Sequence, residues 1–139
     1  MSSSDTFQLA HLPALNVLAV RWLADSNLPL LAAEYEQALT AGLLHDTARW
    51  LLDVRRRPTA DPEASRWVVF EWLPRAATTF PTRLRLTVLA SPQRMELVRT
   101  EPALQVSVRE ALRESRSYDL RLFTDEAVAV AWLSAETPD

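Results

Sequence analysis

Apolar and polar positions along the chain predict an alternation of strands and helices. Residues 7–12 and 15–23 are two apolar stretches separated by Pro13 and Ala14, which favours a β-hairpin whose second strand is central. A first helix is then predicted by apolar residues at helical spacing, with Pro29 in its first turn and Gly42 near its end: Leu28, Leu31, Tyr35, Ala38, Leu39 and Leu43. The short run 50–52 predicts a buried third strand.

The middle of the chain predicts a second helix and a fourth strand. Asp61 can cap this helix, and Pro62 suits its first position. The carboxylate of Glu63 is stabilised by the positive end of the helix dipole. Trp67, Phe70, Leu73 and Ala77 then share one helical face. Pro74 lacks a backbone donor, so we expect the helix to kink or stop there. Residues 83–90 alternate as a strand that Ser91 and Pro92 end.

The last third of the chain contains one ambiguous segment. Residues 93–117 fit both a helical stripe and a two-residue period, and we favour helix because Thr100 and Pro102 provide a start. Residues 118–123 alternate as a last strand. Thr124 and Asp125 then open a final helix containing Val128, Ala131 and Trp132.

The resulting order is β-β-α-β-α-β-α-β-α, which predicts an α/β fold. Strands separated by helices form right-handed crossovers, so we expect a single, mostly parallel sheet of about five strands with an antiparallel N-terminal edge strand. The length of 139 residues fits one domain, 1–139, with residues 1–6 as a flexible tail.

Composition narrows the functional classes. The chain has no cysteine, which excludes disulfides and zinc-thiolate sites, and its net charge of -3 argues against nucleic-acid binding. The N-terminus lacks the pattern of a signal peptide, and no apolar run reaches the length of a membrane span, so we expect a soluble, cytoplasmic protein without stable membrane insertion. All 15 basic residues are arginine, so position must decide which of them matter.

The sequence offers little catalytic chemistry. His11 and His45 have no neighbouring ligands at metal-binding spacing, and we expect neither a metal nor a catalytic role for them. Gly42 is the only glycine, which excludes glycine-rich phosphate loops and the dinucleotide fingerprint. We therefore expect no cofactor, no catalytic residues and no enzymatic activity.

One loop stands out as a candidate binding surface. Parallel strands end at the same sheet edge, so the loop after the third strand, residues 55–65, should meet the end of the fourth strand at Ser91 and Pro92. The candidate residues for binding a partner or an anion are Arg55, Arg56, Arg57, Thr59, Ser65 and Ser91. The alternative is a solvated charged loop that binds nothing.

Trp72 is a candidate interface residue. It falls off the face formed by Trp67, Phe70 and Leu73, so it could be exposed and anchor a symmetric homodimer. The alternative is a helix that is buried on several sides, with Trp72 in the core.

The order of elements resembles the STAS or anti-sigma-factor-antagonist-like fold, most of all its small, stand-alone bacterial members. The residues that carry the resemblance are Leu51-Leu52-Asp53 at a strand end and the phrase Leu122-Phe123-Thr124-Asp125-Glu126 through Ala131-Trp132-Leu133. The resemblance covers nearly the whole chain. It implies a protein that binds partners, with a phosphorylatable Ser or Thr at the start of the helix after the strand.

Asp53 matches the strand-ending aspartate of that family, but the following loop departs from the pattern. A short Ser-Gly-rich loop is replaced by residues 55–61, and Thr59 and Ser65 are the nearby hydroxyls that could be phosphorylated. The leading hypothesis is a non-enzymatic regulatory domain that binds a protein partner. The alternative is a protein that binds a small ligand, lipid or anion in a pocket at the carboxyl ends of the strands.

Overall fold

The computed structural model, which describes residues 6–57, 60–113 and 117–135, confirms the predicted α/β order. The strands are β1 (Phe7–Leu12), β2 (Val17–Trp22), β3 (Arg49–Asp53), β4 (Leu84–Leu89) and β5 (Tyr118–Phe123). The α-helices are α1 (Leu28–Leu44), α2 (Pro62–Arg66), α3 (Leu73–Ala77), α4 (Pro92–Thr100), α5 (Pro102–Ala111) and α6 (Glu126–Ser134), with a π-helical turn, Trp67–Trp72, joining α2 to α3. The predicted tail lies outside the described residues except for Thr6.

The five strands form one sheet in the order β1-β2-β3-β4-β5. β1 pairs antiparallel with β2, and the other three pairings are parallel, as predicted. The three crossovers between parallel strands move in the same direction across the sheet, and crossovers of one hand place their helices on the same face of it. The opposite face is covered by α6, which packs on β3 and β4.

The β1–β2 hairpin has a longer turn than the pattern suggested. β2 begins at Val17, so Pro13 to Asn16 form a four-residue connection and Leu15 lies in the turn at 41% exposure. Asn16 has φ 50°, a left-handed conformation that asparagine tolerates better than most residues. The hydroxyl of Thr47 donates to the Asn16 carbonyl at 2.5 Å, which fixes the turn against the loop entering β3.

Helix α1 starts and packs as its sequence predicts. The Asn27 side chain accepts a hydrogen bond from the Leu30 backbone N–H at 3.0 Å, which satisfies one of the free donors at the helix start. Gly42 allows the helix to approach the sheet, because a Cβ at this position would lie 2.7 Å from Cζ2 of Trp50. The single glycine of the chain is therefore explained by helix–sheet packing.

The prediction of Trp72 as an exposed interface residue is wrong, because Trp72 is 1% exposed. A π-helix has a wider turn than an α-helix, with hydrogen bonds between residues five apart, which brings Trp72 closer to the side of Trp67; their ring centroids are 6.5 Å apart. The π-helical turn ends just before Pro74, and the chain continues as α3, so the helix does not stop at Pro74; the alternative of a kink there stays a prediction. The proposed dimer through Trp72 loses its structural basis.

Trp72 belongs to an aromatic cluster on the helix-covered face. Its ring lies 4.7 Å from Tyr35 and 6.1 Å from Trp50. Each buried indole N–H has an acceptor: Glu36 for Trp72, the Thr47 carbonyl for Trp50 and Glu34 for Trp22. A smaller apolar cluster on the other face includes Leu51, Leu89, Ala129 and Leu133.

The ambiguous segment 93–117 is helical where it is described, as we favoured. It contains two helices, because the backbone of Glu101 is extended and Pro102 begins a new helix. Helix α4 has no buried residue among its nine, whereas α5 buries Leu104, Ser107 and Ala111. Helix α5 is therefore the one that packs inward, against α2 and the π-helical turn.

Candidate functional site

The arginine triplet after β3 does not form one basic patch. A tight turn, closed by the Arg57 N–H donating to the Val54 carbonyl at 2.9 Å, sends the three side chains in different directions. Arg55 lies toward α6, Arg56 is exposed, and Arg57 points into the layer between helices and sheet with its side chain 9% exposed. The solvated-loop interpretation therefore fails for Arg57.

Arg55 belongs to an ion-pair network on the α6 face. Its guanidinium contacts Asp53 at 2.9 Å and Glu126 at 3.2 Å, and Arg21 contacts the same two carboxylates at 2.7 and 2.8 Å. Burial alone would raise the pKa of Asp53, but hydrogen bonds from Arg55 and Arg21 outweigh it and hold that pKa below its usual value. These contacts join β2, the end of β3 and α6.

A cavity of about 130 Å³ lies on the other face, beneath the carboxyl ends of β3 and β4. Most of its wall is apolar. The sheet contributes Leu52, Val54, Val88, Ala90, Leu120 and Leu122, and the helices contribute Leu31, Val68, Val69, Leu73, Leu104, Val108 and Leu112. A concave, largely apolar site with a few polar groups is typical of small-molecule binding.

Two arginines from neighbouring loops line this cavity. Arg94, in the first turn of α4, donates from Nη1 to the Arg57 carbonyl at 2.9 Å. This contact confirms the prediction that the loop after β3 meets the end of β4. Arg57 also contacts Asp25 at 3.4 Å and lies 6.0 Å from the centre of the Trp22 ring.

The guanidinium of Arg94 lies in an unfavourable environment for its charge. Burial, and then the neighbouring charge of Arg57, lower its pKa from the ordinary value to about 10. Arg94 is still charged at neutral pH, so the folded protein holds two cations beside a mainly apolar space. Such a pair is stabilised by any anion that enters the cavity.

Tyr35 and Ser107 add two hydroxyl groups to the cavity wall. Burial raises the pKa of Tyr35 to about 12, although the charges of Arg57 and Arg94 oppose this, so the phenol keeps its proton at neutral pH. Ser107 lies in the middle of α5 and is 2% exposed. Its Oγ has no hydrogen-bond partner among the described residues.

The remaining predicted site residues have mixed outcomes. Ser65 lies inside α2, half-buried and lining the cavity, while Asp61 caps that helix by accepting from the Glu63 N–H at 3.1 Å. Ser91 caps α4, accepting from the Arg94 N–H at 3.1 Å. Thr59 lies outside the described residues. Arg94, Tyr35 and Ser107 were not predicted from the sequence, although Arg94 closely follows Ser91 and Pro92, which were expected at this edge of the sheet.

The two histidines come together away from the cavity. The rings of His11 and His45 stack with centroids 4.4 Å apart, and His11 contacts the Asn16 side chain at 3.0 Å. Within residues 6–57, 60–113 and 117–135, no three His, Cys, Asp or Glu side chains are grouped to hold a metal ion.

Helices in the described part of the chain are all too short or too polar to cross a membrane.

The cavity, with Arg57 and Arg94 on its wall, is the candidate site. No family model, curated protein or solved structure matches the chain.

Proposed function

We propose that the protein binds a small organic anion, with the apolar part of the ligand in the cavity and its charged group against Arg57 and Arg94. The observation that carries this proposal is the placement of two guanidinium groups on the wall of an otherwise apolar space. An apolar wall favours a carbon skeleton, because transferring apolar surface from water is favourable. Among ligands with a carbon skeleton of this kind, the arginines favour those that carry a negative charge.

The charges of the site support an anion. Arg57 and Arg94 place two guanidinium groups on the cavity wall, and Asp25 forms an ion pair with Arg57 at 3.4 Å. Asp61, an acid on the same wall, is exposed and caps α2. A negatively charged group in the cavity would accept charge-assisted hydrogen bonds from the arginines, and these bonds are stronger than neutral ones.

We propose a binding role without chemical conversion of the ligand. Arg94 and Tyr35 hold their protons at neutral pH, with pKa values of about 10 and 12. Such groups donate hydrogen bonds well but exchange protons poorly near pH 7. The regulatory role with a protein partner, the STAS-like resemblance and the homodimer stay predictions, and so does phosphorylation of Thr59 or Ser65.

The experiment is isothermal titration calorimetry at pH 7.5 and low salt with benzoate, hexanoate and their neutral amides. We expect each acid to bind at least about tenfold more tightly than its amide, which is the size of one charge-assisted hydrogen bond. Arg94→Gln should remove this preference. Arg99→Gln is the matched control, because Arg99 is an exposed residue of the same helix. Equal affinity for acid and amide, or no binding of any probe at millimolar concentration, would overturn the proposal.

A further inference from the structure

One side of strand β1 is an open edge of the sheet. β1 pairs with β2, and no other strand in the described ranges lies along its outer side. The Leu23 N–H donates to the Thr6 carbonyl at 2.9 Å, which sets the alternation of this antiparallel ladder. Even-numbered residues of β1 bond to β2, so the peptide groups of Leu9 and His11 point outward. A further strand can form hydrogen bonds with them.

The sequence of β1 lacks the features that prevent pairing at a sheet edge. Its six residues, FQLAHL, contain no Pro and no Asp, Glu, Lys or Arg, and they pair with β2 without a bulge. The opposite edge strand, β5, contains Asp119 and Arg121. Charged residues, proline and bulges protect edge strands from pairing with other chains. By this criterion β5 is protected and β1 is not.

An open groove lies beside β1, between the strand and helix α1. Its lining includes Leu9 of β1 and residues from one side of α1: Ala33, Gln37, Thr40 and Leu44. The side chain of Leu44 is 77% exposed. Glu36, an acid on this wall, is already paired with Arg75 at 2.5 Å. The groove is therefore a surface of small, polar and apolar side chains whose acid is neutralised.

We propose that β1 pairs antiparallel with β1 of a second copy, so that two five-stranded sheets become one. Neighbouring strands lie about 4.8 Å apart, and α1 packs on both β1 and β2. A two-fold axis beside β1 therefore places the two α1 helices about 10 Å apart, which is the packing distance of helices. The strand carries no acidic or arginine side chain that would repel its copy. A second copy thus covers the edge with its strand and the groove with its helix.

The register of the two strands follows from the ladder. An axis at Leu9 gives the longest overlap, because Thr6 extends the ladder at one end whereas Pro13 has no N–H to donate at the other. Gln8 of one copy then lies opposite Ala10 of the other. Both side chains are exposed, so charges can be introduced there without disturbing the core.

The test is sedimentation velocity of the full chain at low salt, over a range of about 1 to 100 µM, which spans the dissociation constants of moderate dimers. We expect wild type to dimerise within this range. Gln8→Glu/Ala10→Glu places like charges at both cross-strand pairs and should weaken the dimer at least about tenfold. Gln8→Glu/Ala10→Lys places opposite charges there and should dimerise within about threefold of wild type. Circular dichroism should show that both double variants fold as wild type does.

A second pair of variants tests the contact between helices. Leu44→Asp, in the groove, should weaken the dimer about tenfold, since a charge enters an apolar contact. Leu43→Asp is the matched control at the neighbouring position, which is 46% exposed outside the groove, and it should leave the dimer within about twofold of wild type.

A wild-type protein that stays monomeric throughout the concentration range would overturn the inference. A dimer that both double variants weaken equally, or that neither of them weakens, would also overturn it, because the charges would then not face each other across the axis. Equal effects of Leu44→Asp and Leu43→Asp would show that the helices do not meet as proposed. The inference is independent of ligand binding, since the cavity lies at β3 and β4 rather than at β1.

Discussion

Replacing Arg94 by methionine should stabilise the ligand-free protein. Burial lowers the pKa of this guanidinium from its ordinary value to about 10, and one pKa unit corresponds to about 1.4 kcal/mol, so holding the charge in the folded protein costs about 3 kcal/mol. Methionine has a similar length and suits the apolar wall. The variant also loses the hydrogen bonds of the guanidinium, among them the one to the Arg57 carbonyl, and each such bond offsets about 1 kcal/mol of the gain.

The expected net effect is a stabilisation of about 1–2 kcal/mol, or about 3–6 °C in Tm for a domain of this size. Urea unfolding at pH 7, followed by tryptophan fluorescence, measures it, with an unchanged m-value as the sign that both proteins unfold in the same way. Arg99→Met is the control, because that side chain is 70% exposed and its ion pair with Glu96 lies on the surface. It should change stability by less than about 0.5 kcal/mol.

The stability difference between Arg94→Met and wild type should depend on pH. Because the folded-state pKa of Arg94 is lowered, the folded protein releases this proton near pH 10, while the unfolded chain keeps it to a higher pH. The free energy of unfolding of wild type therefore rises relative to that of the variant as the pH passes through 10. The extra stability of Arg94→Met should become smaller between pH 8 and 11. An Arg94→Met protein less stable than wild type at pH 7, or an advantage constant to pH 11, refutes the reasoning.

Three further predictions concern the framework of the site. Trp72→Ala should lower the free energy of unfolding by about 3–5 kcal/mol without changing the sedimentation coefficient of the folded protein, since the indole is buried; a loss below 1 kcal/mol would contradict this. Gly42→Ala should cost about 1–3 kcal/mol in urea unfolding, because the new Cβ meets Trp50; an unchanged midpoint would show that the ring yields. The pKa of Asp53 is lowered, so its ion pairs stabilise the fold at pH values above 3.8, the ordinary pKa of an aspartate, and this stabilisation is lost as the pH falls below that value. Asp53→Asn should therefore be less stable than wild type at pH 7, and circular dichroism should show the gap closing toward pH 2; a constant gap counts against the network.

The order of elements could be predicted because local sequence features define it. Asp61 and Asp125 cap α2 and α6 as their sequences indicate, and the strict alternation in 118–123 gives β5 its observed bounds. These features depend on a few neighbouring residues. They need no knowledge of the tertiary packing.

Trp72 shows where periodicity fails. A helical wheel assumes 3.6 residues per turn, and one π-helical turn before Pro74 moves the following residues to a different side. Trp72 is thereby buried, and Phe70, predicted on the inward face, is 43% exposed. A local change of helix type is set by packing around the aromatic cluster, which the spacing of apolar residues does not encode.

The site was predicted at the level of loops but not of side chains. Parallel strand ends placed the β3–α2 loop beside the start of α4, and the contact between Arg57 and Arg94 confirms this. The tight turn after Val54 determines which arginine of the triplet points inward. This turn is held at the sheet edge, because the Val54 N–H donates to the Leu89 carbonyl at the end of β4. Tyr35 and Ser107 lie on helices far away in sequence, and each has an ordinary role in its own helix pattern.

The sequential strand order has a consequence for how the chain folds. Each strand pairs with the strand that precedes it along the chain, so the sheet can grow one strand and one crossover at a time from the β1–β2 hairpin, at low entropic cost for each step. Helix α6 is the exception: Glu126 contacts Arg21 across 105 positions and needs β2 and β3 already in place. We therefore expect α6 to dock in the last step of folding and to open first in native-state hydrogen exchange, ahead of the cavity-bearing layer on the other face.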